Sequence, residues 1–405
     1  MLLNIAISSA VLVTALLVFL PQLRANRSWR AMTTPLASII GSGFLVLGPI
    51  LNSAYGAWAP LAMALLCAMA WGFGAAIRFS MQSAESVAPD GAVSGLEHLS
   101  SWSLGFAYII SVAYYLNLFG AFSVSLTAWD SEFAARAVTS AVFGVILITG
   151  WTRGFSALER MEYVSVGLKL AIIAGLLLGL AVFFGRHVQQ HALILSPPRM
   201  TGWPALTLAF GLIVTVQGFE TARYLGDDYD RPTRERAMRW AQILSSVIYL
   251  AYILLIAYTF APGEVETDET AIIGMMGQVA PVLPFLLVAA ALAAQFSAAV
   301  ADTSGAGGLM SEVTRGKLSP RRAYLILVLA GLALTWVSNI YQIISYASRA
   351  FALYYALQAA IACRWAWQRR AEAAGIWQSR GRPLTFAALS TLGVAIVIFG
   401  RSLEG

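Results

Sequence analysis

Apolar residues fall in stretches of about 20, the length of a helix that crosses a bilayer, separated by short segments rich in Arg, Gly, Pro and Asp. The stretches run over 3–20, 34–52, 58–77, 102–129, 134–151, 161–185, 203–226, 240–261, 273–309, 322–338, 341–366 and 384–400. Two of them are interrupted at the depth where a spanning helix should be continuous, by Ile40-Gly41-Ser42-Gly43-Phe44 and, about 175 residues later, by Gln217-Gly218-Phe219-Glu220-Thr221. Unpaired backbone is costly in hydrocarbon and is tolerated only where it lines a cavity or holds a ligand. The pattern predicts an all-α polytopic membrane protein with about 12 transmembrane helices, two of them broken. Paired breaks of this kind mark the substrate site of a secondary transporter.

Composition agrees with the pattern. A chain that is 59% hydrophobic and 11% charged, with a mean hydropathy of +0.72, lies outside the range of a soluble domain. The net charge of +6 is a topology signal. Taking the loops alternately, one side carries residues such as Arg24, Arg27, Arg30, Arg153, Arg160, Arg231, Arg234, Arg315, Lys317 and Arg369, and the other carries Arg136, Arg186, Arg199 and Arg401 beside Glu264, Glu266, Asp268 and Glu269. The positive-inside rule makes the first side cytoplasmic and puts the N-terminus outside. The partner implied by the basicity is the lipid bilayer of a bacterial inner membrane, and nucleic acid is not a partner.

The first stretch is followed, not preceded, by arginines, so it reads as an extra reverse-anchored helix and not as a cleaved signal. The organisation expected is this helix with a basic loop over 1–32, a first repeat over 33–200, a second over 201–367, and a loop with a last helix over 368–405. Numbering the core helices from residue 33, the breaks fall in helices 1 and 6. The arginine topology makes those two helices run in opposite directions, as an inverted repeat of five plus five helices requires.

Cys67 and Cys363 fall inside apolar stretches, and His98, His187 and His191 are scattered, so neither a disulfide framework nor a metal site follows, beyond a possible monovalent cation. Nucleotide-binding glycine loops and nucleophile–base pairings are missing from the sequence, so an enzyme is not expected and no cofactor is implied. The energy source expected is a transmembrane proton or sodium gradient.

At the breaks, Gly41 and Gly43 permit backbone with positive φ and close approach of a ligand. The free N–H groups that start the outer half of helix 1 suit a carboxylate, and carbonyls released near Gln217 and Gly218 suit an ammonium. Ser38, Gly41, Ser42, Gly43, Gln217, Gly218 and Phe219 are therefore the candidate substrate residues. The competing explanation is that these glycines only let helices pack closely. Glu220 is an intramembrane carboxylate and by default a functional residue; Arg223, one turn on, is a candidate ion-pair partner for it. Val300, Thr303 and Ser304 stand at i, i+3 and i+4. With the carbonyls of Ala37 and Ile40 they would offer five oxygens to a hard monovalent cation, unless the hydroxyls simply bond their own helix.

The chain resembles the amino acid/polyamine/organocation (APC) superfamily of transporters, with the fold of the bacterial leucine transporter. Ser38-Ile39-Ile40-Gly41-Ser42-Gly43-Phe44 is similar to the helix 1 signature of that superfamily. Gly218-Phe219-Glu220, followed by Asp227-Asp228 and Asp230-Arg231-Pro232-Thr233-Arg234, is similar to its helix 6 and the segment beyond. Arg153-Gly154 leading through Glu162 to Lys169 resembles the entry to helix 5, and Arg315-Gly316-Lys317-Leu318-Ser319-Pro320 the loop after helix 8. Leu45-Val46-Leu47-Gly48-Pro49 departs from it, lacking the small-residue run before the proline, and helices 8 to 10 look almost as much like sodium/solute symporters.

The resemblance implies a gating role for Glu220 and a central cavity lined by Tyr114, Tyr115 and Asn117 as an aromatic lid, with Tyr115 a further candidate substrate residue. It also implies that Lys169 takes the place of a bound sodium ion and carries a proton, with Asp302 as its expected partner. Arg349 on helix 10 is expected to be buried, as a gate residue or as a strut. The function this implies is transport of a small amino acid or related amine by alternating access, proton-coupled or by exchange. The alternative is monovalent cation uptake, or sodium-coupled solute symport, on the same fold.

Overall fold

A computed structural model of the protein describes residues 2–41, 43–86, 91–152, 156–225, 229–262, 270–372 and 380–401; for 85, 86, 156–162, 371 and 372 it describes the backbone alone. Ser42, Arg153, Gly154, Asp227, Asp228 and the acidic residues Glu264, Glu266, Asp268 and Glu269 lie outside the described residues, as do the side chains of Arg160 and Glu162. Among the described residues every regular element is helical. In order, the helices are α1 (Leu2–Val18), α2 (Pro21–Ala25), α3 (Arg27–Ile39), α4 (Gly43–Tyr55), α5 (Ala59–Ser86), α6 (Gly91–Val124), α7 (Glu132–Thr152), α8 (Ser156–Gln189), α9 (Gly202–Gly211), α10 (Arg231–Ala257), α11 (Ala271–Val279), α12 (Leu283–Val313), α13 (Pro320–Val337), α14 (Ile340–Gln368) and α15 (Arg382–Phe399). Among the described residues, eight helical runs are long and apolar enough to cross a membrane. The second interrupted stretch is not among them, being divided into shorter pieces, and of the first only the outer half is, joined to α5 in the run Gly43–Ala84.

The expected stretch over 273–309 divides into α11 and α12. Pro281 is the cause, since the residue before a proline is pushed away from helical geometry. Ala280 is extended, at φ −161° and ψ 136°, and α12 restarts with Pro284 in its first turn, where its missing N–H does no harm.

The first helix lies antiparallel on α8, in a furrow made by glycines. Ile7 sits on Gly179, Val11 on Gly175 and Phe19 on Gly167, and a Cβ at Gly167 would be 2.5 Å from the Phe19 ring. Small residues let membrane helices approach closely where no hydrophobic force separates protein from lipid. The Tyr163 hydroxyl closes the arginine-rich end of this contact by donating to the Val18 carbonyl at 3.0 Å. A connection through α2 then leads to α3, whose start is capped by Asn26 accepting from the Trp29 N–H at 3.1 Å.

The core is built on α6, which packs on both α12 and α14; the half-helices α3 and α4 lie against α10, and the half-helix α9 lies against α14 and α15. α14 begins with a capping box between Asn339 and Gln342. It turns a face bearing Ser348, Tyr354, Tyr355 and Gln358 into the interior.

Candidate functional site

Both breaks are present, and they face each other. In the first, Ile40 gives the last helical N–H of α3 to the Leu36 carbonyl and leaves helical geometry at φ −83° and ψ 57°. The second is longer than the sequence suggests. α-Helix stops at Gly211, and a 3-10 turn over Ile213–Val216, an extended Gln217, a left-handed Gly218 at φ +112° and another 3-10 stretch over Phe219–Tyr224 follow. Ser348 on α14 supports the unwinding: its hydroxyl accepts from the Val214 N–H at 3.2 Å and donates to the Gly211 carbonyl at 2.6 Å.

The positive φ lies at Gly218, and not at Gly41 or Gly43 as expected. Gly43 begins the regular helix α4, where its backbone needs no special angle. Its lack of a side chain matters for spacing, because a Cβ there would stand 2.7 Å from Thr215 Cβ. A Cβ on Gly218 would stand 2.5 Å from Ser38 Oγ and 2.6 Å from the Ile39 nitrogen. Glycines thus press the two broken helices together, which is the packing role weighed against the ligand role above.

Tyr249 on α10 ties the breaks at their freed carbonyls. Its hydroxyl lies 2.8 Å from the Ile39 oxygen and 2.8 Å from the Thr215 oxygen. One hydroxyl proton is shared between two acceptors, so each carbonyl keeps unused capacity. Around this point the structure gathers Ser38, Gly41, Tyr115, Gln217 and Gly218. The Tyr115 hydroxyl accepts from Gln217 Nε2 at 2.8 Å, and its ring is 3.5 Å from where a Gly41 Cβ would be. Ser38 Oγ and Gln217 Oε1 are buried without hydrogen-bond partners.

Phe219 lies in a stack, with Tyr355 5.1 Å away at 16° and Phe73 beyond it at 5.1 Å and 20°. Glu220 is fully buried. One carboxylate oxygen accepts from the Gly218 N–H at 3.0 Å and the Tyr355 hydroxyl at 2.8 Å, so it holds the left-handed turn in place. Its other oxygen, Oε1, has no partner. Arg223 does not pair with Glu220. It reaches outward to α6 and α14, taking both oxygens of Glu97 at 2.9 Å and the side-chain carbonyl of Gln358.

Lys169, from α8, is buried and donates to the Ala37 carbonyl at 2.6 Å. Asp302 accepts from Ser111 on α6. Of the expected oxygen cage of Ala37, Ile40, Val300, Thr303 and Ser304, the Ala37 carbonyl already accepts from Lys169. Thr303 returns its hydroxyl to the Ala299 carbonyl at 2.6 Å, and Ser304 is only half-buried. The residue of α12 that meets the helix 1 break is Ala298, 4.0 Å from the Gly41 Cβ position. Thr303 and Ser304 lie about 140° and 120° away from it around the helix.

Two further expectations are corrected. Asn117 points away from the breaks, donating to Ala113 and to Thr335 of α13 at 2.8 Å each. Tyr114 stacks beside Tyr115, with ring centres 5.3 Å apart. Arg349 is only half-buried: Nε and Nη2 donate to the Gly400 carbonyl at 3.1 and 2.6 Å, fastening α14 to the end of α15.

The sequence reading missed Tyr249, Tyr355 and Ser348. A signal for the first was available, since Tyr249 and Tyr252 stand three apart in an apolar helix and a buried phenol needs a partner. Tyr252 finds its own at the Leu45 carbonyl, 3.2 Å away. At the arginine-rich end, a vestibule of about 450 Å³ opens between α6, the 219–224 segment and α12, lined by Ser94, Glu97, Ser101, Arg223 and Glu312.

Paired breaks of this kind invite comparison with known transporters. The chain matches the family described as APC superfamily transporter over residues 21–400. The chain belongs to the APC superfamily. An uncharacterized protein of Aquifex aeolicus (strain VF5) is 39% identical over 398 residues, covering 96% of this chain and 95% of that protein. In structure, the chain is similar to Mhp1, a nucleobase-cation-symport-1 family transporter solved in a closed conformation with bromovinylhydantoin bound. The TM-score is 0.56 at 14% identity, over 92% of this chain and 86% of that one. This APC protein therefore has the leucine-transporter fold, with core helices 1 and 6 broken, and its family and fold are those of transporters and not of enzymes.

Proposed function

We propose that this APC-superfamily protein moves a small amino acid or related amine across a bacterial inner membrane by alternating access about the two breaks. The arginine-rich end is taken as cytoplasmic. The observation that carries the reading is Tyr249, whose single hydroxyl bridges Ile39 and Thr215 and leaves carbonyl capacity at both breaks. The unpartnered oxygen of Glu220 adds a negative group that suits an ammonium. The start of α4 offers free N–H groups to a carboxylate.

Coupling to protons, or exchange, is favoured over sodium. The Lys169 ammonium on the Ala37 carbonyl takes an oxygen that a sodium ion would need, and the α12 hydroxyls lie on another face of their helix. Cation uptake is disfavoured for the same reason.

Reconstitution into proteoliposomes tests the reading. Uptake of labelled amino acids is expected under an imposed proton gradient or against internal substrate, with no need for sodium. Flux of a monovalent cation with no amino acid or amine competing would overturn it.

A further inference from the structure

Gln295 lies in α12 with none of its surface exposed, and neither its amide nitrogen nor its oxygen has a hydrogen-bond partner. A carboxamide offers two N–H donors and an acceptor. Burying it unpaired is unfavourable where an aliphatic side chain of similar size would be neutral. Such a group, buried and unpaired within the protein, points to a partner that comes and goes.

Its place in the fold identifies that partner's position. At about 100° per residue, Gln295 stands within about 60° of Ala298 and about 20° of Asp302 around α12. Ala298 meets the helix 1 break at Gly41, and Asp302 meets Ser111 of α6. Gln295 therefore faces toward α6, about one turn along α12 from the Gly41 contact and on the opposite side of it from Asp302. Tyr115 borders the same place, 3.5 Å from the Gly41 Cβ position, and holds Gln217 by its nitrogen, leaving Gln217 Oε1 unpaired.

We propose that Gln295 reads the substrate, and that the substrate carries an uncharged amide-type edge with an N–H and a C=O side by side. This rests on the reading of the two breaks as the substrate site. An ammonium would satisfy the Gln295 oxygen alone, a carboxylate the nitrogen alone, and an apolar group neither. An amide edge satisfies both through two parallel hydrogen bonds, and Gln217 Oε1 is a further acceptor for its second N–H. The edge belongs either to the side chain of an amino acid or to a ring amide.

The test is equilibrium binding and thermal shift on the purified full-length protein with glutamine, glutamate, methionine and uracil as probes. An amide probe is expected to bind, glutamine identifying a side-chain source and uracil a ring source. Gln295→Leu should weaken that probe by about tenfold or more while raising the ligand-free melting temperature; a structural carboxamide would lower it. Equal binding of the amide probe to wild type and Gln295→Leu overturns the proposal, as does a panel in which no amide probe binds. Gly43→Leu separates the two levels. If it abolishes binding that Gln295→Leu leaves intact, the Gln295 assignment alone fails; if binding survives Gly43→Leu, the breaks themselves are not the site.

Discussion

The ammonium of Lys169 and the carbonyl oxygen of Ala37 are 2.6 Å apart, so a charge on α8 is fastened to the last turns of α3, just before the helix 1 break. The α8 helix is itself gripped by α1 through its glycine furrow. Any swing of α3 away from the core must break this bond or move the lysine with it, and proton loss by Lys169 would weaken the bond.

From this, Lys169→Ala should flatten the pH dependence of uptake in proteoliposomes while substrate still exchanges. A pH profile unchanged from wild type would leave the lysine only a structural strap.

Tyr249→Phe removes one hydroxyl and leaves the Ile39 and Thr215 carbonyls without it in a buried site. The expected loss is about 1–3 kcal/mol for each acceptor left unsatisfied, read as a lower melting temperature together with weaker substrate binding. Tyr252→Phe removes a single 3.2 Å bond to Leu45 and should cost less.

Gly218→Ala should be among the most damaging single-methyl changes. It would force a residue with a Cβ into φ +112° and drive that atom to 2.5 Å from Ser38. A left-handed conformation alone costs roughly 1–2 kcal/mol for a residue with a Cβ. A clear drop in the melting temperature of the variant, compared with Ala at Gly185, where a Cβ would meet nothing within 4 Å, checks it.

Glu220→Gln keeps an oxygen for the Gly218 N–H and the Tyr355 hydroxyl but removes the charge. The fold should persist, and binding of ammonium-bearing substrates should weaken by about 1.5–3 kcal/mol, the range for hydrogen bonds to charged groups. Calorimetric titration of the variant measures this, and an unchanged affinity would confine Glu220 to holding the turn.

The sequence revealed the breaks because glycine beside polar residues is conspicuous in an apolar run, and because arginines on alternate loops oriented the helices. It could not reveal rotation. Val300, Thr303 and Ser304 have the spacing of a cation cage, but spacing is the same whichever way the helix is turned, and α12 presents Ala298 to the break. The extent of unwinding before Gln217 was hidden for a related reason. Its support comes from Ser348, far along the chain on α14. Arg223 and Glu220 look like partners by proximity in sequence, yet Arg223 pairs with Glu97 of α6 while Glu220 accepts from Tyr355 of α14. The division of 273–309 is legible in Pro281, but flanks that are equally apolar mask it.

The most direct test of the central claim is uptake of labelled amino acids into proteoliposomes by wild type and Gly43→Leu, whose added side chain would be forced against Thr215. The account predicts saturable uptake by wild type, driven by a proton gradient or by counterflow and indifferent to sodium, and none by the folded variant. Uptake of equal rate by both proteins, or uptake that requires a sodium gradient, would contradict it.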